Sequence, residues 1–318
     1  MSKPVKITLI IVPAIIAIWV VSVIGLQVSG NNAFIANKLP QAGTYYGILI
    51  KIDPLSNAAI AYSRLGYIEL QNNSAVIDNL SAGRSDNVKN NSFAKAISYY
   101  EKAIQLGSNA PSDYFNLGQA YYYSYLAQLN KGSSDADPTR AEFYLQKAST
   151  MDPNNLQIAE DLGTLYYDSA KYAEAIQQLE RVKDNPNFYL DTKLPMTLAL
   201  SYMWNSEQDK AIGIFENMKN DSMSTSTLPA INDWISVSYR KLKEYQQAID
   251  IASGIIKTNP DFANAYYDRG LAYWDRKSGA SDATAAAADF NKYLQLEPNG
   301  GNASNAKTHL QEISESGL

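Results

Sequence analysis

Residues 155–186 read NLQIAEDLGTLYYDSAKYAEAIQQLERVKDNP, and their internal order recurs along most of the chain. A Leu-Gly pair ends at Gly163 and an aromatic, Tyr166, stands three residues on. Tyr172, Ala175 and Leu179 then continue into an acidic amphipathic helical pattern. Other segments fall into register with it. Tyr114, Leu117, Gly118 and Tyr121 pair with Ala141, Leu145, Ala148 and Pro153, and Leu198, Ala199 and Tyr202 pair with Ala211 and Phe215. Tyr239 and Tyr245 pair with Ala248 and Pro260, and Tyr266, Gly270 and Tyr273 pair with Ala286, Phe290 and Pro298. Tyr62, Leu65 and Gly66 open a more degenerate unit that closes with Ala96, Tyr100 and Ala103.

The physics of two helices in contact explains the alternation. Glycine and alanine let the backbones approach, and tyrosine, leucine or phenylalanine at the alternate slots fills the space between. Pro153, Pro260 and Pro298 each follow an acid or asparagine and stop a second helix. Over roughly Ala58 to Pro298 these residues resemble the tetratricopeptide repeat, a helix–turn–helix unit of about 34 residues. The resemblance implies an all-α, right-handed superhelical solenoid of about six repeats. Residues 302–315, NASNAKTHLQEISE, are more polar and suit a capping helix, and residues 45–54, YYGILIKIDP, read as the second helix of a partial repeat. The expected division is an anchor over 1–30, a juxtamembrane helical linker over 31–57, the solenoid over 58–300 and the cap over 301–318.

Composition agrees and excludes several classes. Charged residues make up 19% and apolar ones 46% of 318 residues, enough to build a core. A net charge of −5 leaves no basic footprint for nucleic acid. With no cysteine there is no disulfide framework, thiolate metal site or cysteine nucleophile. The single histidine, His309, falls in the polar terminal helix, where a solvated position is expected, so histidine-based triads and zinc motifs are unavailable. No glycine-rich phosphate loop appears. Asp135-Ala136-Asp137 lacks the glycine and distant glutamate of a calcium loop. No pair of carboxylates stands apart from the rest. The chain therefore reads as neither an enzyme nor a cofactor or metal carrier.

Residues 7–26, ITLIIVPAIIAIWVVSVIGL, are uncharged and nearly all apolar. Twenty residues at 1.5 Å each match a hydrocarbon core of about 30 Å, so a single transmembrane helix is expected. Lys3 and Lys6 precede the run and the next cation is Lys38. The positive-inside rule then predicts a cytoplasmic amino terminus and an extracytoplasmic repeat domain. The competing reading is a cleaved signal, with Val28-Ser29-Gly30 at the cut, although the run exceeds the usual apolar core of about 7–15 residues.

Three repeats are lengthened between their helices. Gly163 to Ala175 spans 12 residues, whereas Gly66 to Ala96 spans 30, Gly118 to Ala141 spans 23 and Gly270 to Ala286 spans 16. Equivalent loops of a solenoid emerge together, so the insertions are expected along one edge, the two long ones adjacent. Such loops are tolerated cheaply on any surface, or else meet a partner or a neighbouring copy. Asn72, Asn79, Asn90, Asn220 and Asn302 begin Asn-x-Ser, a weak glycosylation signal in a chain this rich in both residues.

The resemblance also implies a concave groove lined by one side of each first helix. Stepping from the glycine slot places Tyr67, Phe115, Tyr122, Tyr123, Tyr167, Met196, Met203, Trp204, Tyr267 and Trp274 there. They account for part of the excess of tyrosine, 23 residues against 8 phenylalanines. The aromatic groove suits an extended or helical apolar segment of a partner protein. Members of the family that bind acidic carboxyl-terminal tails use Lys, Asn and Arg in the groove. Here Lys193, Arg240, Lys241 and Asn264 are scattered. The expectation is a membrane-anchored scaffold, an assembly factor or accessory subunit of a membrane or cell-envelope complex. The alternatives are a protomer that self-assembles into a ring or filament and a polysaccharide-binding solenoid.

Overall fold

The computed structural model describes residues 3–53, 58–84, 92–190, 192–219 and 227–317, with side chains from residue 15 onward. Pro54, Asn90, Asn220 and the 85–91 part of the first insertion lie outside the described residues. Among those described there are sixteen helices and no strand. In order they are α1 (Lys3–Ile35), α2 (Leu39–Ile52), α3 (Ala58–Asn72), α4 (Ser74–Ser81), α5 (Ala94–Gln105), α6 (Pro111–Leu129), α7 (Thr139–Met151) and α8 (Leu156–Asp168). Then follow α9 (Tyr172–Leu179), α10 (Lys193–Trp204), α11 (Gln208–Met218), α12 (Leu228–Lys241), α13 (Tyr245–Thr258), α14 (Ala263–Arg276), α15 (Ala280–Leu296) and α16 (Ala303–Glu315).

The chain divides into two units, Met1–Leu165 and Tyr166–Leu318. In the first, α1 packs with α2, α3 with α5 and α6 with α7, and each hairpin leans on the next through α2–α3 and α5–α6. In the second, α10 pairs with α11, α12 with α13 and α14 with α15, while α16 covers α15. The architecture is an all-helical stack of helix–turn–helix repeats.

Glycine explains how closely the hairpins shut. A Cβ on Gly66 would lie 2.7 Å from the Tyr100 ring, one on Gly118 2.7 Å from Leu145, and one on Gly270 2.9 Å from Phe290. Gly30 stands in the same relation to Tyr46, at 2.9 Å. The end of α1 is therefore the first helix of a hairpin in its own right, with residues 45–52 completing its second helix. Val23, Ala33, Tyr46, Leu49, Ala61 and Leu65 form one buried cluster there.

The turns obey local rules. Asn37, Ala170, Ser206, Lys243 and Lys277 each end a first helix with positive φ. After the first four the next amide reaches back to close the helix, as Glu244 does to Tyr239 at 2.9 Å and Glu207 to Tyr202 at 2.9 Å, while after Lys277 the Ser278 amide donates to Asp282 at 2.8 Å. Second helices end differently. Asp53, Asp152, Asn259 and Glu297 all sit near φ −135°, ψ 75°. Each precedes a proline, whose ring bars the helical conformation to the residue before it.

The two long insertions do not merely loop out. Part of the first folds as α4, and the second prolongs α6 to Leu129. These two pieces pack together, which buries Leu80 on one side and Tyr122, Tyr125, Leu126 and Ala127 on the other. The Asn130 side-chain amide donates to the Leu80 carbonyl at 3.3 Å. The expected adjacency of the insertions is thus a packed contact, because the apolar residues of each find the other.

Among the described residues one helix is long and apolar enough to cross a membrane, by length and composition, over Ile15–Ile35. Ile15, Ile18, Val21 and Ile24 are exposed along it. His309, expected in solvent, is half-buried instead, its ring stacked on Phe290 at 5.2 Å and its Nδ1 2.9 Å from Glu312.

Candidate functional site

In the first unit a cleft of about 250 Å³ opens between α3, α4 and α6, with Tyr67, Ile77, Asn116, Gln119 and Tyr123 on its walls. Tyr67 and Tyr123, placed apart in the sequence, meet here. Both rings are held from behind. Tyr67 meets Phe34 edge-on at 5.3 Å, and the Arg64 guanidinium covers the other ring of that pair at 4.3 Å. Tyr123 leans on Phe93 and Tyr122, each at 5.7 Å. Burial raises the Tyr123 hydroxyl well above its ordinary pKa, with the charges of Asp161 and Asp78 adding to the effect, so it stays a neutral donor. Gln119 is fixed by its bond to Asp161 at 2.8 Å. The cleft is below the usual 300–1,000 Å³ of a small-molecule pocket and suits one large side chain.

In the second unit an aromatic patch centres on Trp204, which is 46% exposed at the end of α10. Tyr172 stacks on it at 6.4 Å, Tyr167 meets Tyr172 at 6.0 Å, and the Lys241 ammonium sits 4.5 Å from the indole centre. Burial, then the neighbouring Arg240, lowers the Lys241 pKa. Trp274 carries a similar cation, Lys277, at 5.3 Å. Indole rings held by such cations are pre-ordered.

The other sequence candidates take different places. Tyr122, Met203 and Tyr267 are buried. Met203 turns into the core of its hairpin, and Tyr267 packs on Phe290 and Tyr293 at 5.8 and 5.4 Å. Helical stepping put them on the groove because it ignores which neighbouring elements cover them. Phe115, Tyr167, Met196 and Trp274 are half-buried.

Sequence reasoning missed a pair of acids. Asp233 of α12 and Asp268 of α14 face each other in the second unit, and Asp233 is buried. Burial, then the charge of Asp268, raises the Asp233 pKa strongly. Burial also raises Asp268, against the pull of Arg240. The pair holds a proton at neutral pH. Arg240 donates to Asp275 at 2.8 Å, while its Nε and one Asp233 oxygen are buried without a partner. A signal was present, since Arg64, Asn116, Asp161 and Asp268 all stand two residues before a glycine slot. The structural role suffices for the pair, whose two helices it joins across consecutive repeats.

Models of the tetratricopeptide repeat match residues 134–187 and 236–301. The C-terminal part of a TPR repeat-containing protein from Cytophaga hutchinsonii is 16% identical. It covers 87% of this chain and 97% of its own, with a TM-score of 0.54, a likeness of fold. A tetratricopeptide repeat protein from Parabacteroides merdae (15% identity, 92% and 99% coverage, TM-score 0.45) is also similar, as is pilF of Pseudomonas aeruginosa (17%, 82% and 98%, 0.45). No curated protein matches the sequence.

Proposed function

We propose that this tetratricopeptide-type chain is a membrane-anchored scaffold that binds a partner protein, as assembly factor or accessory subunit of a membrane or cell-envelope complex. Repeat proteins of this type generally act as non-enzymatic protein-binding scaffolds, and the stacked hairpins give this chain the same kind of surface. The observation that carries the reading is the pair of pre-ordered aromatic surfaces, Tyr67 with Tyr123 and Trp204 with Tyr172. Large rings held in place and left partly open are what hot-spot anchors require, because little side-chain entropy remains to be lost on binding. Tyr167 extends the second surface through its contact with Tyr172, Tyr122 supports Tyr123 from the core, and Phe115, Met196 and Trp274 remain further candidate contacts.

The residues 7–26 helix supplies the anchor, with the amino terminus cytoplasmic and the repeats on the other side. Confinement to the membrane raises the effective concentration of the scaffold for membrane-bound partners. Crosslinking mass spectrometry on native membranes tests the proposal. Links from Lys131, Lys193 or Lys241 to one recurrent foreign protein are expected, and they should fall sharply in Tyr67→Ala and Trp204→Ala variants. Links only between copies of this chain would replace the scaffold reading with that of a self-assembling protomer.

A further inference from the structure

A helix rises 1.5 Å per residue, so the apolar run Ile7–Leu26 just reaches across a hydrocarbon core of about 30 Å, with nothing to spare. Yet α1 is already engaged by the repeats within that run. The Trp19 indole N–H donates to the Ile52 carbonyl at the end of α2, 3.2 Å away. Val23 is buried in the cluster it shares with Tyr46, Leu49 and Ala61. The stretch from Ile7 to Trp19 covers only about 20 Å, and Trp19 lies about 10 Å short of Leu26 along the helix. With Ile7 at one boundary, the end of α2 therefore lies about 10 Å inside the other. Tilting α1 shortens its reach and deepens the overlap.

The surface at this level is suited to lipid. α2 runs back along α1, and α3 follows it and packs against it. Ile48 near the end of α2 and Ile60 at the start of α3 are exposed, at 42% and 49%. Lys51 is exposed on the same turn of α2 and has a stem long enough to reach the headgroups. The acid at the same end, Asp53, is buried within the protein at 3% exposure. Interfacial helices sink their apolar faces about 5–10 Å into the headgroup boundary, the depth the overlap demands.

We propose that Trp19, Ile48, Ile52 and Ile60 form a rim seated in the interfacial layer of the bilayer, so that the first hairpins rest in the membrane surface and are not held off on a tether. The proposal rests on the anchor reading above. Its consequence is a fixed height and tilt for the first repeats relative to the membrane.

The chain has no cysteine, so single-cysteine labelling is unambiguous. Full-length Ile15→Cys, Ile48→Cys, Ile60→Cys and Phe143→Cys variants, each carrying an environment-sensitive fluorophore, would be reconstituted into phosphatidylcholine–phosphatidylglycerol vesicles. Lipids spin-labelled near the headgroup or deep in the chains serve as quenchers. The expected result is loss of most fluorescence from the Ile48 and Ile60 sites to the shallow quencher, with Ile15 quenched by the deep one and Phe143 by neither. If Ile15 is quenched while Ile48 and Ile60 behave like Phe143, the anchor stands and the rim fails. If Ile15 escapes as well, the anchor reading falls and takes the rim with it. Blue-shifted but unquenched labels at Ile48 and Ile60 would assign the rim to a second copy of the chain and overturn the proposal.

Discussion

Replacing Asp233 with asparagine should stabilise the α12–α14 region at neutral pH and flatten its pH dependence. In the native chain burial raises both Asp233 and Asp268, the charge of Asp268 adding to the effect at Asp233 while Arg240 opposes it at Asp268, so the pair keeps a proton that two free carboxylates would release. In the unfolded chain both titrate near the ordinary value of about 3.9. Folded values above unfolded ones mean that the pair's contribution is fully present below pH about 4 and is lost as pH rises toward the folded value. One extra native proton gives a slope of about 1.4 kcal/mol per pH unit. Between pH 5 and 7 the region should then lose up to about 2.7 kcal/mol, roughly a hundredfold in its opening equilibrium. The amide introduced by Asp233→Asn would replace the shared proton with a permanent donor at every pH, leaving Asp268 ionised beside Arg240. Hydrogen exchange of α12–α14 amides, corrected for intrinsic rates, reads this directly. The difference between wild type and variant removes the contribution of other titrating groups, Asp275 included. Parallel pH profiles, or a variant less protected at pH 7, would refute the shared-proton account.

Gly118→Ala should lower stability by about 1–3 kcal/mol, because its Cβ would meet the Leu145 side chain at 2.7 Å and its backbone nitrogen at 3.0 Å. Gly213→Ala, with open space around the new Cβ, should raise it by about 0.5–1 kcal/mol, and thermal melts of the two variants should shift in opposite directions. Lys243 holds φ 65° in the turn after α12, so Lys243→Gly should gain about 1 kcal/mol in urea unfolding. Leu80→Ala should cost about 2–5 kcal/mol locally and free α4. Limited proteolysis would then cut within α4 while α6 and α7 persist, and equal loss across the unit would contradict the packing of α4 on α6.

The hairpins were readable in the sequence because close approach leaves few options. Where a Cβ would meet Tyr100, Leu145 or Phe290 at under 3 Å, glycine must stand, and the opposite slot must be large. Aspartate, asparagine or glutamate before proline likewise announces the end of a second helix, since the conformation there is set by the next residue alone. These are local or near-local requirements, so they leave a pattern in one chain.

What needed the tertiary structure depends on surfaces meeting across distance or on patterns hidden by uniformity. An almost wholly apolar run has no period, so nothing in residues 7–26 revealed that α1 continues past it to end as the first helix of a hairpin, with Gly30 against Tyr46. Helical stepping could list Tyr122, Met203 and Tyr267 as groove residues, but only packing shows that neighbouring elements bury them. The contact of α4 with the extended α6, and of Asp233 with Asp268, joins segments whose spacing in sequence is set by loop lengths and follows no helical period. Local chemistry decided where each helix begins, ends and opens to its partner; the stacking of successive hairpins decided which aromatics remain exposed and which acids must share a proton.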